Sequence, residues 1–409
     1  MLFFSASDET TSRFVLVLDV GSGTIGAVLI DTSVASNQAR ACVWSKRIQM
    51  TLKSSDINRK FQHVKSALME MILLVNKEGT EALRMIDEHA RIGQVFVHIC
   101  SPWTQTVAQK VSYTKDHPFT TSKALLQELA TEVQKEALEK ANNEFAKNGK
   151  KLSVLESEIS NIEINGYRLP SIIETETRQL HFTHYTSFLS EDMSIVIDEL
   201  LREAFVTATV TKRAYMPMFV ENVIAMREEV DFALLDITHE GTELALVREN
   251  TVTNVGAVPY GIATLAHAIA EGTDSPNETG FQMLRQENPH EVPMSKKKTE
   301  RVEMVITEYE EALLKLLHES EDTLLARPTI ITHCDKAYEP FFTARVKNAF
   351  KRQGILIQNM QHVSITEQIA QVLPYECDSA LALSVYDVMQ YSNPTYLEST
   401  KEEFTVPAD

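Results

Sequence analysis

The chain has 409 residues, with 57 Asp and Glu against 39 Lys and Arg, for a formal net charge of −18. That charge argues against nucleic acid or a bare anionic membrane as direct partners, and no apolar run approaches the roughly 18–20 residues of a membrane span. Hydrophobic residues make up 44% and charged residues 23%, which predicts two to three soluble domains with real cores. The cysteines (Cys42, Cys100, Cys334, Cys377) fall in no paired or metal-binding spacing, and the start lacks a basic export signal; both predict a cytoplasmic location.

Residues 14–30 run apolar into Asp19, turn at Gly21-Ser22-Gly23-Thr24, and run apolar again. Two strands joined by a glycine turn are predicted, because glycine reaches backbone conformations that a short hairpin needs. Such a turn also offers N–H groups and hydroxyls to phosphate oxygens, with Asp19 placed to hold a hydrated Mg²⁺. A third strand is predicted near 41–51, and Phe61, Val64, Leu68, Met71, Ile72 and Val75 keep helical spacing over 59–76. Residues 95–102 are a buried-type strand stopped by proline, in which His98 reads as a core residue rather than a ligand.

Residues 105–205 change character. A strand near 107–113 leads to a long charged helix over 121–145, a turn near 142–151, and strands within 152–164 and 175–188 joined by Asn165-Gly166-Tyr167. A helix near 193–205 and a strand at 206–211 complete this unit. The pattern of residues 14–30 then recurs: residues 231–248 form an apolar strand ending in Asp236, a turn holding Gly241-Thr242, and a second apolar strand. Residues 252–258 are the next strand, followed by Pro259-Tyr260-Gly261 and a helix at 262–270. A glycine at that place also serves as an ordinary cap.

Residues 272–300, including Ser295-Lys-Lys-Lys298, read as a solvated loop or a mobile insertion. A long amphipathic helix carries Val302, Val305, Ile306, Tyr309, Leu313, Leu316 and Leu317. Residues 328–335 form a strand entering a turn at Thr332-His333-Cys334, followed by helices near 339–352 and 378–391 and a strand at 355–357. The acidic tail is expected to be loose.

Two hairpins that each end their first strand in Asp, in separate halves of one chain, resemble the two phosphate loops of the actin-like ATPase superfamily. The strand–helix–strand–strand unit, its Asp116-His-Pro-Phe-Thr-Thr-Ser segment and its Ile159-Ser-Asn-Ile-Glu-Ile-Asn-Gly-Tyr-Arg168 turn resemble the FtsA/PilM branch in particular. The resemblance implies an α/β, two-lobed actin-like (RNase H-like, duplicated) fold with a small α+β subdomain inserted in the first lobe. It would divide the chain into a first lobe at 12–104, an insert at 105–211, a second lobe at 212–392 with its upper piece at 270–327, and a tail at 393–409.

The resemblance also implies ATP and Mg²⁺ as cofactors. Asp19 and Asp236 would be the metal-binding and catalytic carboxylates. Gly21, Ser22, Gly23 and Thr24 would form one cradle and Gly241 and Thr242 the other, with Gly261, Thr332 and His333 nearer the nucleoside. Two departures stand out. Thr238, His239 and Glu240 occupy a stretch where the family keeps small residues, and His333-Cys334 replace the glycines beside the adenosine. A Glu240 carboxylate aimed at a triphosphate would cost about 1 kcal/mol at 4 Å in water and several times that at lower dielectric.

Weak ATPase and pseudo-ATPase therefore both stand as expectations. The implied role is a cytoplasmic adaptor of cell division or type IV pilus assembly, recruited to the inner face of the membrane by the tail of a membrane protein, or self-assembling into a bacterial cytoskeletal polymer. The tail is too acidic and proline-interrupted for a membrane-inserting helix. The alternative is a small-molecule kinase or another ATPase of the same superfamily.

Overall fold

The computed structural model describes residues 13–33, 42–50, 57–145, 151–167, 173–226, 231–318, 329–354, 381–391 and 404–405. The tail, apart from its two-residue strand, and the strand expected at 355–357 lie outside them.

The first sheet begins with β1 (Phe14–Val20), β2 (Thr24–Asp31) and β3 (Cys42–Gln49) as an antiparallel meander. α1 (Ile57–Leu74), a π turn (Val75–Gly79) and α2 (Thr80–Ile86) cross back to β4 (Ile92–Ile99), which pairs in parallel with β1. The chain then builds a separate sheet from β5 (Thr104–Thr120), β6 (Leu152–Ile164) and β7 (Glu176–Ser190), with α3 (Lys123–Phe145) across it. α4 (Glu191–Ala204) and β8 (Thr209–Ala214) return to the first sheet, whose order is β3-β2-β1-β4-β8.

α5 (Tyr215–Met226) leads into the second lobe. Here β9 (Phe232–Ile237), β10 (Thr242–Arg248) and β11 (Thr251–Val258) repeat the meander, and β12 (Thr329–His333) pairs in parallel with β9. Between β11 and β12 lie α6 (Ile262–Gly272), α7 (Asn277–Met283) and α8 (Lys296–His318); α9 (Glu339–Arg352) and α10 (Ala382–Tyr391) follow. The order β11-β10-β9-β12 matches β3-β2-β1-β4, so the two-lobed α/β fold expected from the twin hairpins is present.

Alternation along the strands explains the layering. Phe14, Leu16, Leu18 and Val20 of β1 pack on α1 and α4, whereas Val15 and Val17 face inward onto α5 and α10. In β9, Ala233 and Leu235 pack on α6, α8 and α9, whereas Phe232 and Leu234 face the same central layer from the other side. The two sheets thus sandwich α5 and α10, and each fully buried aliphatic or aromatic side chain there contributes about 1.5–3 kcal/mol.

Three expectations need correction. The segment at 272–300 is not a plain loop: it contains α7, and the lysine trio Lys296–Lys298 opens α8. The strand placed at 107–113 runs from Thr104 to Thr120, because β7 holds it along nearly its whole length. α5 was not anticipated at all. It is apolar on every side because sheets cover it from both directions, which erases the amphipathic signature.

Candidate functional site

Asp19 continues the inward face of Val15 and Val17, and Asp236 continues that of Phe232 and Leu234. The period of two therefore aims both carboxylates into the central layer, each at the carboxyl end of a strand. Asp19 is 9% exposed; Ser384 Oγ donates to its Oδ2 at 2.9 Å, and the Cys100 thiol lies 3.8 Å from Oδ1. Burial raises its pKa, partly offset by His98, Ser384, His333 and Arg47. Asp236 is 2% exposed, and its Oδ1 meets His333 Nδ1 at 2.8 Å. Its Oδ2 is buried with no hydrogen-bond partner among the described residues.

The two aspartates share neighbours. Burial first, then Asp19, Asp236 and Glu243, push the Cys100 thiol far up. Burial and then the same two aspartates push up the Tyr215 phenol. One floor therefore carries three acidic groups around Cys100 and Tyr215. Glu243, directly across the ladder from Asp236, is the third, and burial followed by Asp236 lifts it to about 8. Asp19 and the unpartnered Oδ2 of Asp236 are the groups that would hold a hydrated divalent cation here.

The phosphate cradles are a different matter. In the first loop Gly21 N–H bonds Thr24 O at 3.0 Å, the Trp103 indole N–H reaches Gly21 O at 3.3 Å, and the Ser22 hydroxyl is buried without a partner among the described residues. A Cβ placed on Gly23 would lie 2.1 Å from the His239 ring, so that ring occupies the space directly over the loop. In the second loop the Glu240 and Gly241 N–H groups both donate to Thr238 Oγ1, at 3.3 and 3.1 Å. Thr242 Oγ1 donates to Tyr260 O at 2.8 Å and lies 3.2 Å from the Tyr309 hydroxyl, a buried partner from α8. The sequence thus places Gly241 and Thr242 beside the cleft, but their donors are taken within their own lobe.

Glu240 does not stand as a bare charge facing phosphate. It is buried and paired with Lys60 of α1, across the lobes. Gly261 lies under the second loop: a Cβ there would meet Thr238 O at 2.4 Å and the Gly241 and Glu240 nitrogens at 2.6 and 2.8 Å. Only glycine allows that approach, which makes Gly261 a packing position first. Thr332 is buried with its hydroxyl unpartnered among the described residues, and alternation sets it on the opposite face from His333. The His333 ring lies against Tyr215 and Phe219, with centroids 5.9 and 5.2 Å away, besides bonding Asp236. It is built into the floor rather than laid open to a base.

Several residues escaped the sequence reading. Lys60 looked like one more charge on a helix surface. Ser384 and Asp387 are polar at i and i+3 in an apolar helix, a signal that could have been noticed. Asp387 meets His98 Nε2 at 3.0 Å and Arg213 Nη1 at 2.9 Å. Burial alone would raise its pKa, but Arg213 and His98 together hold it below the usual carboxylate range. Arg213 continues to Glu221 at 2.5 Å, and the Tyr185 hydroxyl donates to Glu158. Beside these groups, between the sheet of β5–β7 and α5, opens a cleft lined by Glu158, Tyr185, Met216, Val220, Glu221 and Ile224. Among the described residues no cluster of three His, Cys, Asp or Glu has metal-binding geometry, and no helix is long and apolar enough to cross a membrane.

No protein-family model matches the chain, and no curated protein matches it. A solved PilM–PilN type IV pilus biogenesis complex aligns with 93% of this chain and 99% of that chain, at 13% identity and a TM-score of 0.51. EutJ, an ethanolamine utilization protein of Carboxydothermus hydrogenoformans, aligns with 92% of this chain and 89% of its own at 10% identity and TM-score 0.42. A Bacteroides thetaiotaomicron protein with an actin-like ATPase fold and unknown function covers 86% and 92%, at 9% identity and TM-score 0.41. The last two scores are too low to argue from. The PilM likeness, together with the duplicated meander, establishes that this divergent chain has the two-lobed fold of the actin-like ATPases.

Proposed function

We propose that the protein is an actin-fold adaptor, which works by docking a protein partner and whose cleft controls the arrangement of its lobes. The observation that carries this reading is the likeness, over nearly its full length, to a PilM solved as a complex with its partner PilN. The small sheet of β5–β7 and α5 flank a cleft walled by Met216, Val220 and Ile224, with Glu158 and Glu221 engaged by Tyr185 and Arg213 at one end, a surface suited to an apolar stretch of a partner peptide. A protein of the inner membrane, met through its cytoplasmic tail in pilus assembly or division, is the partner class this reading favours.

Asp19 and Asp236 would hold hydrated Mg²⁺ on the cleft floor. The phosphate half does not fit in the arrangement seen here, because His239 fills it.

The test compares the wild type with Ile224→Asp in parallel assays. Proteins captured from the source cells should be lost on placing a charge in the cleft wall, while phosphate release from ATP stays at background in both. Phosphorylation of a sugar or carboxylate panel by the wild type, with capture unaffected by Ile224→Asp, would replace the adaptor by the kinase.

A further inference from the structure

The lobes of this protein are joined across the cleft by side chains of its own. The His239 ring of the second loop sits on Gly23 of the first, with the ring atoms 2.1–2.4 Å from where a Cβ would stand. Lys60 of α1 pairs with Glu240, the next residue of the same second loop, and the two side chains are 12% and 7% exposed. Arg47 of β3 lies 4.0 Å from Asp335, in the turn that follows β12. Ser101, after β4, brings its hydroxyl to 3.7 Å from where a Gly241 Cβ would stand. Each contact joins a first-lobe residue to a second-lobe loop, and three of the four converge on residues 239–241.

The second loop is also complete without a ligand. Thr238 accepts the Glu240 and Gly241 N–H groups, and the His239 carbonyl accepts the Ala263 and Thr264 N–H groups, at 2.8 and 3.4 Å, at the start of α6. His239 is thereby held over Gly23 by a rigid mount. Opposite charges within a buried pair attract strongly only when both stay in place, so breaking the lobes apart leaves Glu240 and Lys60 to be rehydrated together.

We propose that His239, fixed by the Lys60–Glu240 pair, is a built-in plug that occupies the place of nucleotide phosphates and clamps the two lobes shut. This deepens the adaptor reading and rests on it only for the identity of the displaced ligand. The plug does the bridging that a triphosphate would do between twin loops. A nucleotide enters only when the lobes part and the ring leaves Gly23. The charged groups facing His239 are Arg47 and Lys60 from the first lobe and Asp335 and Glu240 from the second. Burial, and then Arg47, lower the basicity of the ring, partly offset by Asp335 and Glu240.

The experiment measures amide hydrogen exchange in peptides spanning residues 20–26 and 237–243, with and without MgATP, together with calorimetric titration of MgATP. The proteins are the wild type, His239→Gly alone and with Lys60→Met, and Gly23→Ala, which displaces the ring and leaves the second loop's sequence unchanged. Release of the clamp should speed exchange at both peptides on the order of tenfold or more in every variant. In the single variant His239→Gly, which keeps Lys60 to neutralise Glu240, MgATP should then bind on the order of tenfold or more tighter than to the wild type and restore protection. Faster exchange with no MgATP binding would uphold the plug and overturn ATP as the displaced ligand. Exchange unchanged in Gly23→Ala and in whichever form of the His239 variant folds, single or double, would overturn the plug.

Discussion

The two hairpins of this molecule share a topology and divide the labour. In the first lobe, Gly21-Ser22-Gly23-Thr24 keeps side chains small, leaving a hollow above Gly23 and a buried Ser22 hydroxyl without a partner among the described residues. In the second lobe, Thr238-His239-Glu240-Gly241-Thr242 satisfies its own backbone and side chains and sends a ring into that hollow. One hairpin is a socket and the other a plug. Equivalent backbone geometry therefore does not guarantee equivalent chemistry, because two side chains in one loop suffice to convert a cradle into a closure.

The comparison breaks most visibly at Lys60. Lys60→Met leaves Glu240 buried and unpaired, at an expected cost of about 3 kcal/mol in urea unfolding. Lys60→Met with Glu240→Gln should recover more than half of that loss, and no recovery would mean that the pair is not what Lys60 contributes. Gly261→Ala drives a Cβ into backbone atoms at 2.4–2.8 Å, which cannot swing aside. About 2 kcal/mol should be lost by the same measurement. Gly23→Ala meets a movable ring instead, so its cost should be smaller, and His239→Gly should cancel it. A double-mutant coupling of about 1 kcal/mol is expected, and additivity would deny the contact.

A pH-dependent effect separates the floors of the two hairpins. Glu243, found only beside Asp236, has its pKa raised from 4.5 to about 8 in the folded state, chiefly by burial. A raised carboxyl contributes stability below its unfolded pKa and loses that contribution as pH rises through the folded value. Between pH 4.5 and 8 the folded protein holds a proton that the unfolded chain has released, which lowers stability by up to about 1.4 kcal/mol per pH unit. Glu156, lifted to about 7 by burial, adds in the same sense. Thermal unfolding of Glu243→Gln should therefore fall less steeply from pH 5 to 8 than that of the wild type, and identical slopes would exclude Glu243 as the source.

Much of this was legible beforehand, and for a definite reason. Apolar strands interrupted by Asp19-Val-Gly-Ser-Gly and by Asp236 announce themselves through local periodicity, as do the helices at α1, α3 and α8. The departures at His239, Glu240 and His333 were also visible as residue types out of place. Their sense was not: Glu240 was expected to repel phosphate, whereas Lys60, 180 positions away, neutralises it. His333 looked free to meet a base, but Asp236 and the rings of α5 already hold it.

Pattern along the chain thus determined the twin hairpins and the pair of carboxylates ending β1 and β9, because alternation and turn chemistry act over a few neighbouring residues, and their resemblance to a known superfamily implied the duplicated α/β fold. Whether the space between the hairpins is open or filled was decided only in three dimensions. That outcome depends on contacts between residues far apart in the chain, Gly23 with His239 and Lys60 with Glu240, and on a ring and an ion pair whose burial exists only once the lobes have closed on each other.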